Sequence, residues 1–259
     1  MNRLTLFIPL LLANFLFAQP NDEFLTEFLF GNELKLQNEL GKYNQFDFSG
    51  LWTKTENYLI FGVIGQDHQR IRMKLISVEK SPINENVYFV YGKSKVKEII
   101  CDFKGVITLS QIRETKELQY GIDDEYADKG VKSQGVLMAN YVFWESFDQA
   151  HSGIFQGILY SKWYLNSDSN IKYDDILQFA DGYSNNAFIG TWKSYSTGIE
   201  KICNWADFRV PMANSDFDIG VGDFAPSEKY WDKGWETYLR AWSLGDKKAE
   251  SEEFKIWWQ

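Results

Sequence analysis

From Ile99 to Leu109 the chain alternates with a period of two. Ile99, Cys101, Phe103, Gly105, Ile107 and Leu109 share one parity, while Asp102, Lys104 and Thr108 occupy the other. Successive side chains of a strand point to opposite faces, so this stretch has one buried face and one wet face. Arg70 to Leu75 alternates in the same way. Beyond it Ile76 and Val78 carry the apolar residues on the opposite parity, which predicts a β-bulge near Leu75 and Ile76. Further strands are expected at Leu59 to Ile64, Val87 to Tyr91, Ile112 to Tyr120, Val136 to Trp144, Ile154 to Leu165 and Ala187 to Tyr195. Turn-forming residues separate several of them, among them Ser81 and Pro82, Asp123 and Asp124, and Asn166 to Asn170. Short strands at such intervals, without long helices between them, give an antiparallel sheet that curls or closes into a barrel. The expected class is therefore mainly β.

The flanks differ in texture. Residues 19–45 are expected to form a helical lead of two short helices, with Asn21 as a cap, Phe24, Leu25, Phe28, Leu29, Leu34 and Leu40 as the packing face, and Gly31 and Gly41 as stops. Residues 46–185 form the antiparallel β region, and 186–259 add strands and a helix packed on the same domain. In that last part Trp231, Trp235, Tyr238, Leu239 and Trp242 recur with helical period after Pro226. Gly234 inside such a helix costs about 1 kcal/mol, so residues 232–234 are alternatively a turn between two shorter helices.

Met1 to Ala18 reads as a secretory signal peptide. Arg3 precedes an apolar stretch from Leu4 to Phe17, and Ala18 offers a small residue at the cleavage point. The stretch is shorter than the roughly 20 residues needed to cross a bilayer, and no later window approaches that length. An exported protein, periplasmic or extracellular, is the expectation. The formal charge of −9 becomes one unit more negative when Arg3 leaves with the leader, which disfavours a nucleic-acid partner. The densest basic runs, at Arg70 to Lys74 and Lys93 to Lys97, alternate as solvated strand faces do.

In an oxidising compartment the two cysteines, Cys101 and Cys203, are a possible disulfide, the alternative being two buried thiols. With His68 and His151 as the only histidines, neither zinc-ligand spacing nor a Cys/His couple is present. Asp67 and His68 read as a loop. Asn214, Asp216, Asp218 and Asp223 cluster oxygen ligands near Gly220 and Gly222, but without the order of a calcium loop, and no cofactor or metal is assigned. No serine-hydrolase elbow or nucleotide-binding glycine loop occurs.

One pattern recurs on the strands: a Phe two residues before a Gly, with a bulky residue two places further on, at Phe48 and Gly50, Phe103 and Gly105, Phe155 and Gly157, and Phe188 and Gly190. A glycine between large residues on one face lets a strand bend, or lets a neighbouring ring lie against the backbone. Two of these continue to tryptophan, as Gly50-Leu-Trp52 and Gly190-Thr-Trp192. This Gly-x-Trp element resembles the opening signature of lipocalins and related calycin barrels. The resemblance implies an antiparallel barrel with a small-molecule cavity, and gives Trp52 and Trp192 the role of plugs closing one end. The functional expectation is a non-catalytic binding protein for a small apolar or glycan ligand. Aromatic and acidic residues gather in the C-terminal quarter, so Trp205, Asp218, Asp223 and Trp235 are the candidate ligand contacts. A carboxylate-dependent glycosidase drawing on Asp207, Asp218, Asp223, Asp232 and Glu236 is the second reading, and an interaction protein without a pocket the third.

Overall fold

The computed structural model describes residues 30, 31 and 33–259. The leader-like segment Met1 to Ala18 and the expected first helix up to Leu29 lie outside the described residues. Nine strands make one antiparallel sheet: β1 (Ile60–Ile64), β2 (Gln69–Lys80), β3 (Val87–Val96), β4 (Ile99–Glu114), β5 (Val131–Glu145), β6 (Gly153–Asn166), β7 (Ile171–Tyr173), β8 (Asn185–Ser194) and β9 (Glu200–Asp207). Each of β1 to β6 pairs with the next, β6 pairs with β8, β8 with β9, and β9 with β1. Eight strands thus close a ring in which every neighbour is antiparallel, and β7 is a short addition to β6.

Most of the expected strands are present. The shift of parity after Leu75 is a register break between Leu75 and Ser77 opposite β3. A second break lies between Leu109 and Gln111, so β4 runs through what the pattern divides at Leu109, and Ile112 and Glu114 take over the inward positions. Three expectations fail. The strand expected over Ile112 to Tyr120 ends at Glu114 as the tail of β4, with Thr115 in an isolated bridge. Leu34 belongs to a bridge with Thr115 rather than to a helix, leaving α1 (Leu40–Tyr43) as a single turn. Glu200–Asp207 is a full strand that the pattern misses, because Cys203, Asn204, Trp205 and Ala206 are all buried and leave no alternation to read.

The ring is filled by its own side chains. Across its middle Phe188 stacks on Trp205 at 4.7 Å, Tyr141 meets both rings at 5.2 and 5.4 Å, and Phe103 stacks on Phe143 at 5.1 Å. Room for these rings comes from the glycines of the Phe-x-Gly pattern. Gly157 and Gly190 face each other across β6 and β8, and a Cβ on Gly190 would stand 2.0 Å from the Gln156 carbonyl oxygen and 2.7 Å from the Tyr141 hydroxyl. A Cβ on Gly105 would stand 2.3 Å from the Val142 carbonyl oxygen and 2.5 Å from the Phe143 ring. Gly50 shares the pattern but not the constraint, since it lies in a 3-10 turn (Ser49–Trp52) with open space around it.

One end of the ring is closed by the chain that precedes β1. Tyr43 of α1, Phe48, Leu51 and Trp52 are buried there. The Trp52 indole donates to Ser161 Oγ at 3.0 Å and meets Tyr88 edge-on at 5.0 Å, while Tyr43 lies 4.6 Å from Trp163. Glu114, turned inward by the second register break, accepts from Tyr43 Oη at 2.6 Å and pairs with Lys35 and Lys42. Burial alone would push its carboxyl up, but these donors outweigh burial and hold it down at about 2.

The outer face of β1 and β2 carries a second core. Phe61 and Val63 pack with Phe217, Phe224, Trp235, Tyr238 and Leu239. The helical stripe is thus core, but not one helix. A 3-10 segment (Glu228–Lys233) ends at Gly234, whose φ of +88° breaks the run before α2 (Glu236–Trp242), in line with the alternative of two shorter pieces. A third helix, α3 (Lys247–Glu253), is capped by Asp246. It brings Glu253 onto Arg70 in a two-pronged pair at 2.8 and 2.6 Å, joined by Arg72 at 2.9 Å and by Thr237. The Arg70 guanidinium lies 4.8 Å from the Trp235 ring. Arg70, expected on a solvated face, is therefore buried under the C-terminal helices.

Two outcomes are expected. Gly190→Ala should lower stability by roughly 2–3 kcal/mol, because backbone must move to admit the methyl group, whereas Gly50→Ala should stay within about 0.5 kcal/mol. Thermal unfolding followed by circular dichroism separates the two. Glu253→Gln should cost about 3–5 kcal/mol by leaving Arg70 buried without its counter-charge, and the joint change Arg70→Met with Glu253→Leu should cost less. Urea midpoints of the two variants give the comparison.

Candidate functional site

Glu145 is the last residue of β5, and the alternation of that strand decides where it points. Leu137, Ala139, Tyr141 and Phe143 face the ring interior, so Glu145 continues the inward row and places a carboxylate at the ring's second end. Ser94 does the same on β3, following Tyr88, Val90 and Gly92. On β8 the inward row runs through Gly190 to Trp192, whose indole lies over Gly153, at 2.7 Å from where a Cβ on that glycine would stand. These rows converge. Glu145 accepts hydrogen bonds from Ser94 Oγ at 2.5 Å, from the Gly153 amide at 2.8 Å and from Trp192 Nε1 at 2.9 Å.

Around this carboxylate opens a recess of about 310 Å³. Its apolar wall includes Ile71, Val96, Phe155 and Trp192, and its polar groups include Asp67, Gln69, Lys97, His151 and Lys201 as well as Glu145 and Ser94. Glu145 is only 4% exposed, and burial pushes its carboxyl above the usual carboxylate range against the opposing pull of its three donors. None of those donors carries a charge. The recess is therefore a concave mouth with an apolar side, an acid at its wall and cationic groups among its lining.

The residues singled out in the sequence lie elsewhere. Trp205 is inside the ring, stacked on Phe188. Trp235 is fully buried in the outer core, its Nε1 donating to the His68 carbonyl at 3.0 Å. Asp218 organises a loop, accepting from Arg209 Nε at 2.6 Å and from the amides of Gly220 and Ala225. Asp223 is exposed on that loop. The four do not meet in one site, and none of them lines the mouth. Trp192, given a plug role by the resemblance, instead forms part of the open mouth, while Trp52 sits in the closed end. Cys101 and Cys203 are both free and buried, on β4 and β9, so no bridge joins them. Burial pushes the Cys101 thiol up to about 11, away from a reactive thiolate. Asp67 and His68 lie in the β1–β2 turn, as expected, with His68 stacked on Phe217 at 4.5 Å.

The carboxylates proposed for glycoside chemistry are likewise occupied with structure. Asp232 pairs with Lys233 and Glu236 with Arg240. Asp207 is buried near the closed end, where it accepts from Thr55 at 2.7 Å, Asn186 at 2.8 Å and Tyr173 at 2.9 Å. Burial raises its carboxyl from an ordinary value near 3.8 to about 7, against those three hydrogen bonds and Lys74. Among the described residues no group of three or more His, Cys, Asp or Glu is placed to hold a metal ion. No helix of the described residues is long and apolar enough to cross a membrane.

No family model, curated protein or solved structure matches this chain.

What could have marked Glu145 in the sequence is its parity. A charged residue two places after Phe143, on the row that ends in the ring, is out of keeping with an interior, and a buried acid at a strand end is where binding chemistry concentrates.

Asp207 has a pH signature. In the fold it keeps its proton up to about pH 7, and in the unfolded chain only to about 3.9. Between those values the folded state binds more protons, so the contribution of Asp207 to stability falls as pH rises through the window and is level above it. Relative to Asp207→Asn, the unmodified protein should lose stability from about pH 4 to about pH 7 and then run parallel. Denaturant midpoints of both proteins across that range test the sign.

Proposed function

We propose that this protein is an exported, non-catalytic binding protein that takes a small ligand in the open mouth of its barrel. The reading rests on one observation: the ring is filled in its middle and plugged at one end, yet at the other end its inward rows stop short and leave a recess walled by Trp192, Phe155 and Ile71 around a buried carboxylate. At about 310 Å³ the recess lies at the lower end of the range for small-molecule sites. Its apolar wall suits a compact hydrocarbon body or the face of a sugar ring, and its polar groups suit a ligand that also carries hydrogen-bonding or charged substituents. The leader-like character of Met1 to Ala18 supports an extracytoplasmic ligand.

The two other readings have less behind them. A glycosidase needs two carboxylates facing one cleft, and the acids considered for that role are spread over the closed end and the C-terminal loop and helices. A pocketless interaction protein would need no recess.

Thermal stabilisation across a panel of small metabolites and sugars tests the proposal. A ligand at about one hundred times its Kd adds roughly 2.7 kcal/mol, a rise of about 5–10 °C for a domain of this size. Val96→Trp, which sets an indole in the mouth, should abolish that rise. A panel that gives no rise, or a rise that persists in Val96→Trp, would sink the reading.

A further inference from the structure

Three charged groups that line the mouth, Glu145, Lys97 and Lys201, have no ion-pair partner among the described residues, while a fourth, Asp67, reaches Lys233 at 3.9 Å. Glu145 has three hydrogen-bond donors, all neutral, and no cation pairs with it among the described residues. Its Oε2 accepts two of them and its Oε1 only the one from Ser94, so Oε1 retains acceptor capacity. The carboxylate is almost fully buried, where an uncompensated charge is costly. Lys97 sits in the turn between β3 and β4, and Lys201 near the start of β9; both are exposed, and among the described residues neither pairs with a carboxylate. The acid is thus set into the wall of the recess, and the free ammonium groups stand where solvent reaches them.

We propose that the recess recognises a zwitterion: a free α-amino acid or very short peptide with an apolar side chain, its ammonium group on Glu145, its carboxylate toward Lys97 and Lys201, and its side chain against Trp192, Phe155 and Ile71. This rests on the reading of the mouth as a ligand site and names the chemistry of its ligand. A simple cation shares the recess with two lysines, and a simple anion shares it with Glu145. A neutral ligand leaves both kinds of charge unanswered. Only a molecule carrying both charges offers each a partner. The volume fits one such residue with its side chain better than a longer chain.

The test uses a matched set of probes at pH 7 on the full mature chain: L-phenylalanine, 2-phenylethylamine, which lacks the carboxylate, 3-phenylpropionate, which lacks the ammonium, and uncharged 2-phenylethanol. Calorimetric titration should show L-phenylalanine binding at least about tenfold tighter than either half-charged analogue. Glu145→Gln should remove its advantage over 3-phenylpropionate. The double change Lys97→Met with Lys201→Met, made at exposed positions and so harmless to the fold, should remove its advantage over 2-phenylethylamine. The proposal is overturned if 3-phenylpropionate binds as well as L-phenylalanine, or if the lysine variant leaves the preference intact. Binding of 2-phenylethanol that is blocked by Val96→Trp, with no gain from the added charges, keeps the mouth as a binding site and rejects the zwitterion. Failure of all four probes at millimolar concentration overturns the zwitterion, while stabilisation by some other class in the metabolite panel would still uphold the mouth.

Discussion

Closing eight strands into a ring creates a cylinder that has to be filled from its own inward rows, and in this protein the filling is aromatic. Phe103, Tyr141, Phe143, Phe188 and Trp205 meet across the middle with ring centroids 4.7 to 6.4 Å apart. Rings of that bulk fit only because Gly105, Gly157 and Gly190 bring backbones close enough to leave them space. The recess follows from where this filling stops. At the closed end residues 40–52 complete it; at the mouth Ser94 and Glu145 put polar groups where core side chains would continue, beside Trp192, and leave a hollow.

The outside of the ring is secured in a different way. A strand face of β2 that alternates Arg70, Arg72 and Lys74 would ordinarily remain in water. Here the C-terminal helices cover part of it, and Glu253 pairs with both arginines in a site where burial alone would push its carboxyl up but the guanidinium groups and Thr237 hold it at about 2. A buried pair of this kind adds little net stability over an apolar substitute, yet it ties α3 to β2, since Glu253 takes the two-pronged pair from Arg70 and a further contact from Arg72 at once.

The sequence reveals the antiparallel class, most strand positions and the bulge after Leu75, because one-sided burial writes itself as alternation. It hides β9, whose residues from Cys203 to Ala206 are buried on both faces between the ring interior and the outer core. It also conceals the covered arginines, because a polar face looks alike whether it meets water or a helix that supplies a counter-ion 183 residues away. The candidate site was only half visible. Trp192 stood out as part of a short motif but its place at the open mouth depends on the direction of β8, and Glu145 becomes conspicuous only when the inward parity of β5 is followed to its last residue.

The ring is stitched shut between its first and last strands, with Ile60 opposite Asp207 and Ile64 opposite Cys203. That seam joins segments far apart in the chain, so the ordering entropy of the whole meander falls due before the closing contacts form. While the chain lengthens from its N-terminus, β1 keeps one free edge until β9 has emerged, and the rings destined for the interior face an open trough. A chain cut short before residue 207 would keep its hairpins and lose its inside. Trp205, two residues from the end of the last strand, is both the final stave's contribution to the seam and the ring on which Phe188 and Tyr141 settle, so the interior solidifies only when synthesis of the barrel is nearly done.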